Sequence, residues 1–236
     1  GQFEGKPFNL DIAGSQEAQT LIFDQTKLNW NETSITANGK VSKESLDLHV
    51  ELNKLKFTDF NQFGYSFQPG TVDLEFDLLG SIESPQLNGV MALTIENQNM
   101  SEDSDAPQED VVVTTKFMTE DELLKLIANI EQGDESRGDL SITSTYKPFL
   151  NWVVNESNSK EITELPIDIN TRGYIGLDWI NYFIDKDIQN IAGKLTLDTH
   201  VTGTLDEPKI NGSLDLSNVV YMNSLSLSSV EHGEVE

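Results

Sequence analysis

The chain has 236 residues, 37% of them hydrophobic, with 40 acidic against 15 basic side chains and a formal net charge of -25. That balance excludes nucleic acid, whose phosphates require clustered Lys and Arg, and it opposes lying flat on an anionic leaflet. The lack of cysteine removes disulfides, thiolate metal sites and Cys nucleophiles together, and no stretch approaches the ~18 apolar residues of a spanning helix.

The length suffices for one large β domain or two modest ones. A chain that opens on Gly1 without an initiator Met reads as part of something longer, which leaves room for an anchor outside it. In chain order, the first signal is an alternation of period two, Phe8-Asn9-Leu10-Asp11-Ile12. It returns as Leu46-Asp47-Leu48-His49-Val50-Glu51-Leu52, then as Val72-Asp73-Leu74-Glu75-Phe76-Asp77-Leu78, with Leu93 and Ile95 close behind. Each run places apolar side chains on one face of a strand and wet ones on the other. From Asn97 to Asp110 the chain is acidic and nearly empty of apolar residues, which predicts a loop or linker.

Helix is predicted in two short places. Thr119 with Glu122 three residues on forms a capping-box pattern before Leu123, Leu124, Leu126, Ile127 and Ile130, with Gly133 beyond, so a helix is expected over about 119–132. Trp179 with Phe183 and Ile180 with Ile184 repeat at helical spacing and predict a second over about 177–190. Alternation resumes in Leu140-Ser141-Ile142 and Ile167-Asp168-Ile169-Asn170, on either side of a polar stretch from Asn155 to Glu161, and again in Leu214-Asp215-Leu216 and Leu225-Ser226-Leu227. The expected organisation is a β segment over 1–96, the acidic linker over 97–110, and a second β segment over 111–236 carrying the short helices.

Two segments align without a gap at a constant offset. One runs from Gly70 to Gly89 and the other from Gly193 to Gly212; Gly80, Pro85 and Gly89 of the first fall on Gly203, Pro208 and Gly212 of the second. The apolar positions Val72, Leu74, Phe76 and Leu78 fall on Leu195, Leu197, Thr199 and Val201. Each unit reads as strand, turn and return strand, with the first glycine supplying backbone freedom and the proline ending the ladder.

Strand, Gly-Ser/Thr, apolar, acidic, any residue, Pro, any residue, apolar, Asn-Gly, strand resembles the repeated signature of the TamB family in the AsmA-like superfamily. Leu28-Asn29-Trp30 followed by Ile35 through Val41 is similar to the family's preceding strand pair, and Gly173 through Phe183 to its stretch before the second signature. The acidic linker and the helix near Thr119 depart from the family pattern.

The resemblance implies an all-β fold, an elongated, U-shaped antiparallel sheet or β-taco, with an apolar groove along its inside. It also implies a place in the periplasm as part of a protein anchored in the bacterial inner membrane. Its family roles are phospholipid transport between the inner and outer membranes in outer-membrane biogenesis, and translocation and assembly of outer-membrane proteins with a TamA-type barrel. The expected ligands are phospholipid acyl chains, held by Leu46, Leu48, Val50, Leu52, Val72, Leu74, Phe76, Leu78, Leu93, Ile95, Leu195, Leu197, Val201, Leu214 and Leu216. The alternative is a scaffold for outer-membrane protein assembly that pairs a strand edge with the barrel partner. A closed β-sandwich, in an adhesin or beside an enzyme, is the third reading.

No enzyme is expected. No Gly-x-Ser-x-Gly elbow, Walker loop or His-Glu-x-x-His occurs, and no carboxylate pair stands in a motif that separates acid from base. Ser101-Glu102-Asp103-Ser104-Asp105 lacks the Gly and terminal Glu of an EF-hand loop. His49, His200 and His232 are scattered, the first two on the polar phase of their strands, so no metal and no cofactor is expected.

Overall fold

The computed structural model describes residues 2–3, 6–42, 44–59, 69–81, 84–96, 109–120, 123–145, 162–178 and 191–221. They form strands β1 (Gln2–Phe3), β2 (Lys6–Glu17), β3 (Thr20–Trp30), β4 (Thr33–Val41), β5 (Leu46–Lys56), β6 (Gly70–Gly80) and β7 (Pro85–Ile95). After these come β8 (Val111–Glu120), β9 (Leu123–Gln132), β10 (Glu135–Thr145), β11 (Pro166–Gly176), β12 (Ile191–Thr204) and β13 (Pro208–Tyr221). Sheet order equals chain order, and no pairing returns β13 to β1, so the sheet is open. The fold is all-β and antiparallel, as the alternation predicts.

The helix expected over 119–132 is not formed; β8 ends and β9 runs there. Leu124, Leu126, Ala128 and Ile130 also alternate with Lys125, Ile127, Asn129 and Glu131, and the strand period prevails. A helix would set Ile127 and Ile130 on one stripe, whereas Ile127 is 38% exposed and Ile130 only 4%. Thr119 caps nothing; its Oγ1 accepts from the Leu87 amide at 2.8 Å, across from β7. Gly133, read as the residue beyond a helix, has φ +58 in the two-residue turn joining β9 to β10, a Gly-Asp hairpin. Of the second expected helix only Leu177 and Asp178 are described, in a bend and a short 3-10 turn. The rest of it, most of the acidic linker, the Asn155–Glu161 stretch and Leu225 to Leu227 lie outside the described residues.

Two compact units are present: Gly1–Glu96 with Thr114–Leu124, and Asn97–Val113 with Lys125–Glu236. In the first, antiparallel partners share a face, and the register aligns Leu10 with Leu28, Leu28 with Ile35, and Ile35 with Leu52. It continues through Leu52 with Leu74, and Leu74 with Met91. Every one of these contributes to the same side. In the second unit, Leu140 faces Gly173, Gly173 faces Leu197 and Leu197 faces Leu214.

The repeat seen in the sequence is a repeated hairpin. Gly80 pairs with Pro85 and Gly203 with Pro208, and the two glycines have φ +95 and +99, where a side chain is strained. Inside each turn the same hydrogen bond recurs: the Ser84 amide donates to Ser81 Oγ at 3.1 Å, and the Glu207 amide to Thr204 Oγ1 at 3.1 Å. The Ser/Thr after each glycine is therefore the residue that closes the turn.

Candidate functional site

The apolar face is the candidate site. In the first unit, Leu48 is paired with Leu78, Val50 with Phe76, Leu52 with Leu74, and Val72 with Leu93, while Leu46 faces Gly80 and Ile95 faces Gly70. Strict alternation puts all ten predicted residues of this unit on one side, although a bulge between Leu52 and Leu55 interrupts the register with β6. That bulge is pinned: Lys54 has φ 57, its amide donates to Asp73 Oδ1 at 2.9 Å, and its carbonyl accepts from Thr33 Oγ1 at 3.0 Å. In the second unit, Leu195 pairs with Leu216, Leu197 with Leu214 and Val201 with Ile210, again on one side.

These side chains are not sealed as the inner face of a sandwich would be. Among the described residues the buried hydrophobics are Ile95, Val111, Ile130 and Leu177, so of the predicted set only Ile95 is buried. Leu214 is 68% and Leu216 56% exposed; the remaining predicted residues are half-buried. A sheet with one apolar face ordinarily packs that face on another layer. Here the described strands belong to one sheet.

Sequence reasoning missed Leu21, Leu87, Met91, Leu140, Ile142 and Ile210, which share these faces through the register. A signal for two of them was present in the repeat alignment, where Leu87 falls on Ile210 and is followed at period two by Gly89 and Met91. Of the aromatics that the sequence offers for the edge of a lipid opening, with packing as the default reading, Trp30 pairs with Phe8 and Thr33 on the same side. Trp152, Trp179, Tyr182 and Phe183 lie outside the described residues.

The opposite face carries charge. Arg172 donates through Nη2 to Asp198 at 3.1 Å, His200 Nε2 lies 2.9 Å from Asp168, and Lys56 meets Glu32 at 2.9 Å. His49 Nδ1 stands 2.8 Å from Asp77 and its Nε2 3.2 Å from Glu51. The hydrogen bond to Asp77, then that to Glu51, holds the His49 ring above its ordinary pKa of 6.5 against partial desolvation. Shallow hollows lie on this polar side, one lined by Glu75, Asp77, Asn88 and Lys116 and the other by Glu51, Asn53, Asp73 and Glu75. Both histidines do occupy the polar phase, but each has a carboxylate partner.

No helix among the described residues is long and apolar enough to cross a membrane. No protein-family model matches the chain, and no curated protein or solved structure is significantly similar to it.

Proposed function

We propose that the chain is a lipid-conduit segment of the periplasm that holds phospholipid acyl chains against its apolar faces for transfer between the inner and outer membranes. The observation that carries this reading is the register: successive strands contribute hydrophobic side chains to one side, and those side chains keep solvent exposure as high as 68% at Leu214. Burying one acyl methylene contributes about 0.8 kcal/mol, so a chain of ~16 carbons gains on the order of 10 kcal/mol gross. No reactive side chain is needed, and no catalysis is proposed. The resemblance to the TamB family supports the cellular setting, a segment of a protein anchored in the inner membrane.

Mass spectrometry of an organic extract of the purified protein tests this. Phospholipid is expected in stoichiometric amount, and reduced several-fold after Leu197→Arg or Leu214→Arg. Leu214 is the cleaner position because its exposure leaves folding intact. A lipid-free extract, or lipid unchanged in both variants, overturns the reading.

The alternative, a scaffold for outer-membrane protein assembly, is favoured by one feature: β13 is 14 residues long and stands last in the sheet order, with β12 as its neighbour among the described residues. Such an edge offers backbone groups to an incoming strand. Photo-crosslinkers placed in β13 distinguish the readings, since they capture a barrel protein in one case and lipid in the other.

A further inference from the structure

On the polar side of the first unit, the register creates an arrangement the lipid reading does not use. Across β5 and β6, His49 is directly opposite Asp77, and Glu51 is directly opposite Glu75. A carboxylate facing a carboxylate at a paired position is destabilising, and in a chain whose net charge is -25 the partners offset it only in part: Glu51 has His49 and the Thr36 hydroxyl beside it. One ring nitrogen of His49, a Glu51 oxygen and a Glu75 oxygen all lie within 4.8 Å of one another.

We propose that His49, Glu51 and Glu75 form a binding site for one borderline divalent metal ion of the Zn2+ class, with Asp77 as the positioning residue behind the histidine. The geometry argues for it in three steps. Four ligands about 2.0–2.1 Å from zinc in a tetrahedron stand roughly 3.3 Å apart, and the His49 Nε2 to Glu51 Oε1 separation is 3.2 Å. Glu75 closes the remainder by a rotamer change, which its exposed position permits. The fourth position stays open to water.

Asp77 supplies the second step. Its Oδ1 lies 2.8 Å from His49 Nδ1, so Nδ1–H stays engaged with Asp77 when a metal ion displaces the proton that Nε2 shares with Glu51. A carboxylate behind the ring is the arrangement that orients metal-bound histidines and raises their basicity. The third step is a contrast inside the molecule. His200 also pairs with an aspartate, Asp168, at 2.9 Å, but its directly opposite neighbours are Asn170 and Asn211, so it has the histidine and carboxylate without the facing glutamate pair. An imidazole with two carboxylates selects a borderline ion over Ca2+ or Mg2+, which favour all-oxygen sites.

The inference is independent of the lipid reading, because the site lies on the other side of the sheet. The test is titration of the whole chain with ZnCl2 at pH 7.5, read by calorimetry and by the histidine ring 15N signals. One equivalent is expected to bind, shifting the His49 Nε2 signal and leaving that of His200 unchanged. His49→Gln and Glu75→Gln are each expected to weaken binding more than tenfold, and Asp77→Asn by about tenfold to a hundredfold. His200→Gln is the control expected to bind as the parent does. Thermal unfolding of each metal-free variant shows whether the sheet is intact, and Glu75→Gln should remove an opposed charge without unfolding it. Binding that survives both His49→Gln and Glu75→Gln, that Mg2+ or Ca2+ displaces at equal concentration, or that leaves the His49 ring signal unmoved, reflects only the acidic surface and overturns the proposal.

Discussion

The two copies of the repeated hairpin share a turn but differ in burial. Leu87, Met91 and Leu93 on β7 correspond to Ile210, Leu214 and Leu216 on β13. The first three are half-buried, whereas the second three are 68%, 68% and 56% exposed. The difference lies beyond the hairpin. β7 has β8 on its far side: Thr119 accepts the Leu87 amide, and a Cβ at Gly89 would sit 2.6 Å from the Phe117 ring. β13 ends the sheet order. The signature therefore specifies turn and register, while the neighbouring strand decides how much of the apolar face is withdrawn from water.

Truncating an equivalent pair should break this symmetry most visibly. Met91→Ala is expected to cost about 2 kcal/mol, in the range for removing a packed side chain. Leu214→Ala should cost less than about 0.5 kcal/mol, because little area is lost from a side chain already in water. Urea denaturation of the two variants checks it; equal losses would mean that β13 is covered by something in solution. Substituting the turn glycines should do the opposite and restore the symmetry. Gly80→Ala and Gly203→Ala each force a side chain onto φ +95 or +99, and at Gly80 the new Cβ would stand 2.7 Å from the Ser84 carbonyl oxygen. Each should lose about 1 to 2 kcal/mol, by similar amounts. A large inequality would show that the turns are not energetically equivalent.

Much of this was legible in the sequence, for a physical reason. Alternation at period two depends only on the pleat, so Leu46 through Leu52 and Val72 through Leu78 declared their strands and their shared face before any pairing was known. The segment 123–132 misled because Leu123, Leu126, Ile127 and Ile130 satisfy a helical stripe while Leu124, Leu126, Ala128 and Ile130 satisfy a strand. The two-residue Gly133-Asp134 turn was the deciding local cue, since a Gly-Asp pair between two apolar runs favours a hairpin. The metal-ligand candidates were invisible for another reason. Glu51 and Glu75 lie in separate alternating strands, and only the register brings them opposite each other. A sequence gives the phase of each strand but not the offset between strands.

The smallest expected effect separates a buried contact from an exposed one at a single turn. Asn31 has φ 54 in the turn between β3 and β4 and donates through Nδ2 to Asp59 Oδ1 at 3.0 Å, where Asp59 is 8% exposed. The next residue, Glu32, reaches out to Lys56 at 2.9 Å with side chains 65% and 38% exposed. Asp59→Ala removes the buried acceptor of the Asn31 amide and should cost about 1 to 2 kcal/mol at neutral pH. Glu32→Gln should shift the midpoint barely at all, and its small effect should depend on pH and salt. The Lys56 hydrogen bond, then the Lys56 charge, holds the Glu32 carboxyl below its ordinary 4.5. A depressed carboxyl stabilises the fold above its ordinary value and loses that contribution as pH falls through the lowered one. The parent and Glu32→Gln should therefore differ at pH 7 in low salt and converge in acid or in 1 M salt, whereas the Asp59→Ala deficit should persist in 1 M salt. A Glu32→Gln deficit as large as that of Asp59→Ala at pH 7 would place the clamp of this turn on its surface rather than in its interior.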